Sequence, residues 1–119
     1  MATILLVDDL AFIKLVQKEV LEGNGHVIIG DAKDGIEALE KFRNLKPDVI
    51  IMDITMPKMD GLASLNAIRK IDPNARVIIC SALGQQQLII EAIKLGAKDF
   101  VVKPFKPPRL AAAIEKALK

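Results

Sequence analysis

A length of 119 residues is that of one domain, large enough to fold around its own core without disulfides or a structural metal. With 51% hydrophobic and 27% charged residues the composition excludes a disordered chain, and the four Phe without Trp or Tyr require an aliphatic core. The net charge of +2 is spread along the sequence and no apolar run approaches the ~20 residues of a membrane span, so neither nucleic acid nor a membrane is expected as a partner.

Five short apolar runs, rich in β-branched residues, divide the chain. Their residues are apolar at consecutive positions, which is typical of strands buried on both faces of a parallel sheet. The predicted strands span residues 4–7, 27–30, 49–52, 77–80 and 100–102.

Segments of helical period follow each of these runs. The predicted helices span residues 12–22, 35–45, 62–71, 85–95 and 107–118. Asp34 and Asp60 are suited to cap the second and third helices, and Pro107 suits the first turn of the fifth. Five strand–helix units without a linker predict one α/β domain over residues 1–119, with a doubly wound parallel sheet between two helical layers.

Polar side chains occupy the positions where the predicted strands end. The first strand is followed by Asp8 and Asp9, the third by Asp53, the fourth by Ser81 and the fifth by Lys103. The functional crevice of an open α/β sheet lies beyond the carboxyl ends of its strands, so these groups are expected to converge. Carboxylates at close range need a cation to hold them together, and oxygen ligands with an open position for phosphate favour Mg²⁺.

Each of these residues has an ordinary structural explanation on its own. An Asp after a strand is often a helix N-cap, Ser81 fits a loop hydroxyl, and Lys103 fits a solvated surface charge. The set is better explained as a functional site, because an α/β domain has no structural need for it at one edge. Outside this set, Cys80 is expected to fill the core, and a lone cysteine fits a reducing cytoplasm. His26 is expected in a loop, without a role.

Three segments resemble the hallmark segments of response-regulator receiver domains. They are LVDD at residues 6–9, MDITMPKMDG at 52–61 and KPF at 103–105. The resemblance covers nearly the whole chain, and CSALGQQ at 80–86 and GAKDF at 96–100 are most similar to the chemotaxis members of the family. The resemblance implies a flavodoxin-like (βα)5 sandwich with five parallel strands in the order 2-1-3-4-5.

The resemblance also assigns the metal site. It makes Asp53 the phosphoacceptor of a Mg²⁺-dependent reaction. The ligands it implies for the ion are the carboxylates of Asp9 and Asp53, the backbone carbonyl of Thr55, and Asp8 acting mainly through water.

On the phosphoryl side, the resemblance implies that Lys103 pairs with the bound group and that Ser81 forms a hydrogen bond to it. Phosphorylation is then expected to draw Ser81 toward the pocket and to open space for Phe100, at the position of the aromatic switch residue. The Lys103–Pro104 bond is expected to be cis on the family's precedent alone, because few X–Pro bonds are cis. Leu10, Ser81 and Phe100 depart from the family's commonest residues without removing a required group.

By the same resemblance, the chain is a two-component response regulator and not an enzyme for a separate substrate. It is expected to take its phosphoryl group from phosphohistidine on a sensor histidine kinase, in the cytoplasm, and to lose it by its own hydrolysis or to a phosphatase. For a chemotaxis member, the expected output is binding to the flagellar motor switch protein through the helix 4–strand 5–helix 5 face. A stand-alone phosphorelay intermediate, which passes the group to another phosphotransfer domain, is the second interpretation.

The fourth predicted helix has a wider apolar arc than one buried face needs. Its central stripe, expected to face the sheet, consists of Ile89, Ala92, Ile93 and Gly96, and Leu88, Ile90 and Leu95 flank it. Either this helix is deeply set, or part of the arc is a surface for a partner.

Two other classes use a similar architecture. A haloacid-dehalogenase-like phosphotransferase also has an Asp nucleophile at a strand end, but it needs a second Asp two residues later, where this chain has Thr55. A flavodoxin-like cofactor binder needs a Ser/Thr/Gly-rich phosphate loop after the first strand, where Asp8 and Asp9 repel an anion. The end of the chain soon after the fifth helix, together with Met1, favours a complete stand-alone regulator over a fragment.

Overall fold

The computed structural model describes all 119 residues and contains five strands that alternate with five helices. The strands are β1 (Thr3–Val7), β2 (Val27–Ala32), β3 (Val49–Met52), β4 (Val77–Ser81) and β5 (Asp99–Val102). The helices are α1 (Ala11–Gly23), α2 (Gly35–Leu45), α3 (Gly61–Ile71), α4 (Gln86–Lys94) and α5 (Pro107–Leu118). Every predicted element is confirmed, with small differences at the ends. None of the helices combines the length and the apolar character that a membrane span requires.

The strands form one parallel sheet in the order β2–β1–β3–β4–β5, which confirms the doubly wound α/β fold. Val7 at the end of β1 lies opposite Met52 at the end of β3, and Met52 lies opposite Ile79 of β4. The residues that follow β1 and β3 are therefore neighbours. The chain changes direction across the sheet between these two strands, which makes their carboxyl ends the expected place for a functional crevice.

Both faces of the sheet are buried in apolar clusters. One cluster joins the sheet to α2, α3 and α4 through residues such as Phe42, Leu65 and Ala92. The other joins it to α1 and α5 through residues such as Leu21 and Leu110. Each large aliphatic side chain buried in this way stabilises the fold by roughly 1.5–3 kcal/mol relative to an exposed position.

The two outer strands are less buried than their apolar sequences predict. Val27 in β2 is 44% exposed and Val102 in β5 is 43% exposed, since each of these strands has a neighbour on one side only. The prediction that all five strands are buried on both faces is therefore wrong for β2, whereas in β5 it fails only at Val102. A short apolar run does not distinguish a central strand from an edge strand.

The buried face of α4 differs from the predicted stripe. Ala92 is buried, and Leu88, Ile89 and Leu95 pack against the same cluster, so the buried face keeps Ile89 and Ala92 of the predicted stripe and adds Leu88 and Leu95. Ile93, predicted to face the sheet, is 48% exposed, and that placement is wrong. Since Ile90 is exposed as well, α4 is not deeply set, and an apolar part of it faces solvent.

Two of the helices, α2 and α3, begin at the predicted capping residues. Asp34 accepts a hydrogen bond from the Glu37 N–H (2.8 Å), and Asp60 accepts one from the Ala63 N–H (2.8 Å). The N-cap of α1 is Leu10, whose side chain makes no capping hydrogen bond. A polar N-cap typically contributes about 1 kcal/mol, so α1 begins without this stabilisation.

His26 is buried between the end of α1 and the start of β2. Its Nδ1 accepts a hydrogen bond from the Ala2 N–H (3.1 Å), and its Nε2 lies 3.6 Å from Oε1 of Glu115 on α5. His26 does lie in a loop, as predicted, but the expectation that it has no partner is wrong. Its partners come from the two ends of the chain, so no local pattern could identify them.

Candidate functional site

Three carboxylates lie together where β1 and β3 end. Asp8 and Asp9 follow β1, Asp53 follows β3, and one oxygen from each lies within 4.8 Å of the others. Asp8 and Asp53 are buried, whereas Asp9 is exposed. The structure thus brings together the three acidic residues that the sequence placed at one edge of the sheet.

The main chain around Asp53 is held by short contacts. The Asp53 N–H donates to the Val7 carbonyl (3.0 Å), and the Asp53 Oδ1 accepts from the Ile54 N–H (2.8 Å). Gly61 donates its N–H to the Ile54 carbonyl (2.7 Å), and a Cβ at Gly61 would lie 1.9 Å from the Asp53 carbonyl oxygen. Only glycine fits there, because real Cβ atoms do not approach backbone atoms so closely. These contacts leave the Asp53 Oδ2 facing Lys103.

Lys103 brings a positive charge to the carboxylates from the end of β5. Its Nζ lies 2.6 Å from Oδ2 of Asp8 and 3.6 Å from Oδ2 of Asp53. Its N–H donates to the Ser81 carbonyl (2.9 Å), and the Lys103–Pro104 peptide bond is cis, as the resemblance implies. The direct ion pair between Lys103 and Asp8 is a contact that the sequence did not predict.

Burial and neighbouring charges change the pKa values of these partners. Burial raises the pKa of Asp53; Lys103 opposes this, and the carboxylates of Asp8 and Asp9 raise the pKa further. Burial by itself lowers the pKa of Lys103, but the hydrogen bond to Asp8 and the charge of Asp53 outweigh it, so the net shift is upward. The Lys103 ammonium therefore stays charged, and the Asp53 carboxylate is more basic than a solvated one.

Ser81 and Phe100, the residues of the expected switch, lie on the same face of the sheet. Ile79 lies opposite Phe100 in the β4–β5 register, and Ser81 follows Ile79 by two positions, which returns its side chain to that face. The Ser81 Oγ accepts a hydrogen bond from the Leu83 N–H (3.0 Å). The Phe100 ring is buried, so it already occupies the interior in this structure.

A cleft of about 390 Å³ opens above Asp53. Its lining residues are Leu10, Ile13, Asp53, Thr55, Ser81, Ala82, Leu83, Lys103 and Pro104. The apolar rim formed by Leu10, Ile13 and Leu83 was not among the predicted site residues. Nothing in the sequence marks these three as neighbours, because only the fold places the start of α1 beside the loop after β4.

The donor set of the acidic cluster fits Mg²⁺. All three side chains supply carboxylate oxygens, the ligand type that Mg²⁺ prefers, and Thr55 lies two residues after Asp53 at the cleft. The exposure of Asp9 leaves the cluster accessible to an ion that keeps several of its waters. The buried Asp8 is already balanced in part by Lys103.

Cys80 lies behind this site and not in it. It is fully buried in β4, and burial raises the pKa of its thiol to about 11. Since the thiolate is the reactive form, Cys80 is inert at neutral pH, and the prediction that it fills the core is confirmed.

The fold and this set of side chains match one protein family. The sequence profile of the response regulator receiver domain matches residues 4–115. The chain belongs to the response regulator receiver family. The matched region covers the five strands except Thr3, together with most of α5, so the receiver is a two-component response regulator. The matching profile is that of a receiver, not of a dehalogenase-like enzyme or a cofactor binder.

Relatives resemble the receiver over nearly its whole length. The chemotaxis protein CheY of Thermotoga maritima is 52% identical over 116 residues, 98% of this chain and 97% of the relative. CheY of Bacillus subtilis is 50% identical over 115 residues, 97% of this chain and 96% of the relative. A chain in the CheX–CheY–BeF3–Mg²⁺ complex of Borrelia burgdorferi is 39% identical with a TM-score of 0.96, over 98% of the receiver and 89% of that chain. The resemblance to chemotaxis members is confirmed.

Proposed function

We propose that the receiver takes a phosphoryl group onto Oδ2 of Asp53 and acts as a signalling switch, without turning over a separate substrate. The supporting observation is the position of this carboxylate. Its Oδ1 is held by the Ile54 N–H, and its Oδ2 faces the cleft 3.6 Å from the Lys103 Nζ. Thr55 occupies the position where a dehalogenase-like enzyme needs its second Asp.

The transfer uses the basicity of Asp53 and the charge of Lys103. Oδ2 forms a bond to phosphorus while the bond between phosphorus and the donor's imidazole nitrogen breaks, and that nitrogen keeps the bonding electrons. The raised pKa of Asp53 gives a more nucleophilic oxygen than a solvated carboxylate has. The Nζ of Lys103, already 3.6 Å from Oδ2, then stabilises the negative charge on the phosphoryl oxygens.

We assign a Mg²⁺ ion to the carboxylates of Asp8, Asp9 and Asp53 with the Thr55 carbonyl. When bound, Mg²⁺ supplies positive charge that offsets the repulsion between a carboxylate and an anionic phosphoryl donor. The chain's part is to hold the three carboxylates within 4.8 Å and to keep the Asp53 backbone fixed against α3.

The switch combines Ser81, Phe100 and the face made by α4, β5 and α5. The Ser81 hydroxyl accepts from Leu83 but does not use its own proton there, so it is free to donate to a phosphoryl oxygen. Movement of Ser81 toward that oxygen changes the packing on the face of the sheet that it shares with Phe100. The exposed Ile90 and Ile93 of α4 give this face apolar surface for a target.

We assign the receiver to chemotaxis, in the cytoplasm, with a sensor histidine kinase as donor and the flagellar motor switch protein as target. The similarity to CheY proteins along nearly the whole chain supports this assignment. The Borrelia relative was solved with CheX, which supports a CheX-like protein as a further partner.

The phosphoacceptor is tested with acetyl phosphate, Mg²⁺ and intact-protein mass spectrometry. We expect the wild type to gain one phosphoryl group, and D53N to gain none. The matched control is D48N, which removes an exposed carboxylate outside the site and leaves the gain intact. An undiminished gain in D53N contradicts the proposal.

The pathway is tested by mixing the receiver with purified motor switch protein, with and without BeF3⁻ and Mg²⁺. Tighter binding of the BeF3⁻ form supports the chemotaxis assignment. Equal binding in both states, together with phosphoryl transfer from the receiver to a phosphotransfer domain, favours the phosphorelay intermediate.

A further inference from the structure

The main chain of Phe100 is held by two charged side chains. Asp99 Oδ1 accepts a hydrogen bond from the Phe100 N–H (2.8 Å). The Phe100 carbonyl accepts one from the Arg109 Nη2 (3.1 Å). Both backbone groups of this residue are therefore occupied by side chains.

The same two side chains form a bidentate ion pair. Arg109 Nη1 lies 2.9 Å from Asp99 Oδ2, and Arg109 Nη2 lies 3.1 Å from Asp99 Oδ1. Burial raises the pKa of Asp99, but hydrogen bonds from Arg109 and the Phe100 N–H outweigh it and leave the pKa below its usual value. Since Arg109 is in the first turn of α5, the pair joins this helix directly to β5.

This attachment is unusual for an edge strand. The outer N–H and C=O groups of an edge strand are normally free or solvated, and such a strand is free to shift. β5 has β4 as its only neighbour in the sheet, yet Phe100 is held from the other side as well. The strand is thereby fixed at the residue expected to switch.

The helix on the other side of β5 is held much less firmly. Ala92 is the one buried residue of α4. α5, in contrast, buries four residues: Leu110, Ala113, Ile114 and Ala117. Of the two helices beside β5, α5 is attached to the strand by the ion pair and by its buried side chains. α4 has no such ion pair with β5 and buries only one residue.

We infer that Arg109 is a positioning residue for the switch, which holds the Phe100 main chain still so that events at Asp53 move the Phe100 ring and α4. This role rests on the proposed phosphoacceptor function. Without Arg109, the strain that Ser81 transmits through β4 is absorbed by a displacement of β5. The ring then samples its positions whether or not the pocket is filled.

The four Phe residues allow a direct test by 19F NMR on the full chain labelled with fluorophenylalanine. The Phe100 signal is assigned with F100L, and BeF3⁻ with Mg²⁺ is the probe. In the wild type we expect saturation with BeF3⁻ to shift the Phe100 signal. In R109A we expect the shift to fall to roughly half or less, while the affinity for BeF3⁻ changes by no more than about threefold.

Two further variants separate positioning from general stabilisation. R109K keeps a cation beside Asp99 but cannot bind both of its oxygens and the Phe100 carbonyl, so we expect wild-type-like stability with the reduced ring shift of R109A. K116A removes the other cation near Asp99, 3.9 Å away, without touching the Phe100 backbone, and it should keep the full shift.

A full wild-type ring shift in R109K and in folded R109A overturns the role of Arg109 while leaving the phosphoacceptor function intact. If R109A does not fold, the R109K result decides. A wild-type protein in which no signal responds to BeF3⁻ overturns the phosphoacceptor function, and the role of Arg109 with it.

Discussion

The faces of the sheet and its carboxyl edge are formed by the same strands but bury different kinds of side chain. On the faces, β1 and β3 bury only apolar side chains such as Leu5, Leu6 and Ile51. One residue further along, the same strands bury Asp8 and Asp53, which are held by Lys103. The faces stabilise the fold, whereas the edge keeps like charges close together at a cost in stability. Residues that stabilise the core and residues that form the candidate site are therefore adjacent in the same strands.

The largest expected effect comes from the face. Ile51→Ala removes a fully buried side chain two residues before Asp53 and should lower the free energy of unfolding by about 3–4 kcal/mol. Phosphorylation of the folded variant by acetyl phosphate should be unchanged, because Ile51 lies in the cluster on the α1 and α5 side. Urea unfolding measures the loss of stability and intact-protein mass spectrometry measures phosphorylation, with I51V as a milder variant. A parallel loss of phosphorylation in folded I51A would show that the buried face and the carboxyl edge are not independent.

Lys103→Ala is expected to be nearly as destabilising, for an electrostatic reason. It leaves the buried Asp8 carboxylate without its 2.6 Å partner, which should cost about 3 kcal/mol at pH 7. Mg²⁺ should recover part of this loss by supplying positive charge, so it raises the melting temperature more in K103A than in the wild type. The matched control is K106A, which removes an exposed lysine three residues later. Equal stability of K103A and K106A contradicts the stated importance of the ion pair.

Gly61→Ala tests the close contact between the start of α3 and the Asp53 main chain. The added Cβ would meet the Asp53 carbonyl oxygen at 1.9 Å, so the backbone must move, at an expected cost of about 2 kcal/mol together with slower phosphorylation. In G23A the added Cβ meets nothing within 4 Å, and that variant should be neutral or slightly stabilised. Thermal unfolding and acetyl phosphate kinetics compare the pair. Wild-type kinetics in G61A would show that the close approach has no part in positioning Asp53.

The smallest stability effect has the opposite sign. The pKa of Asp53 is raised by folding, so its ionisation lowers the free energy of unfolding as the pH rises from the unfolded pKa of about 3.9 through the folded one. Asp53→Asn removes this penalty and should stabilise the protein by on the order of 1 kcal/mol at pH 7, and by less at pH 4.

Asp48 provides the control for that pH dependence. Hydrogen bonds from Thr3 lower its pKa, so its contribution to stability is present at neutral pH and is lost as the pH falls through its folded pKa. D48N should therefore destabilise at pH 7, with a difference that shrinks in acid. If D53N and D48N change stability in the same direction at pH 7, the ionised Asp53 does not destabilise the folded protein.

The contrast also explains which features were predictable from the sequence. The aliphatic runs and the capping residues Asp34 and Asp60 act locally, so the five strands and five helices followed from them to within a few residues. The convergence of Asp8, Asp9 and Asp53 followed from a general rule about strand ends. The strand order itself came from the family resemblance.

The remaining features depend on contacts between distant residues. Nothing near Val27 marks β2 as an edge strand, and nothing near Ile93 shows which side of α4 the sheet occupies. The pairs His26 with Ala2 and Lys103 with Asp8 join residues far apart in sequence, so they become visible only once the fold is known.

The most direct test is to locate the phosphoryl group by borohydride reduction of the acetyl phosphate-treated receiver. Borohydride converts an aspartyl phosphate, but not a free carboxylate, to homoserine, which peptide sequencing by mass spectrometry identifies. We expect homoserine at position 53 only, dependent on Mg²⁺ and absent from D53N. Homoserine at position 8 or 9, or none at any position in a folded wild-type protein, would contradict it.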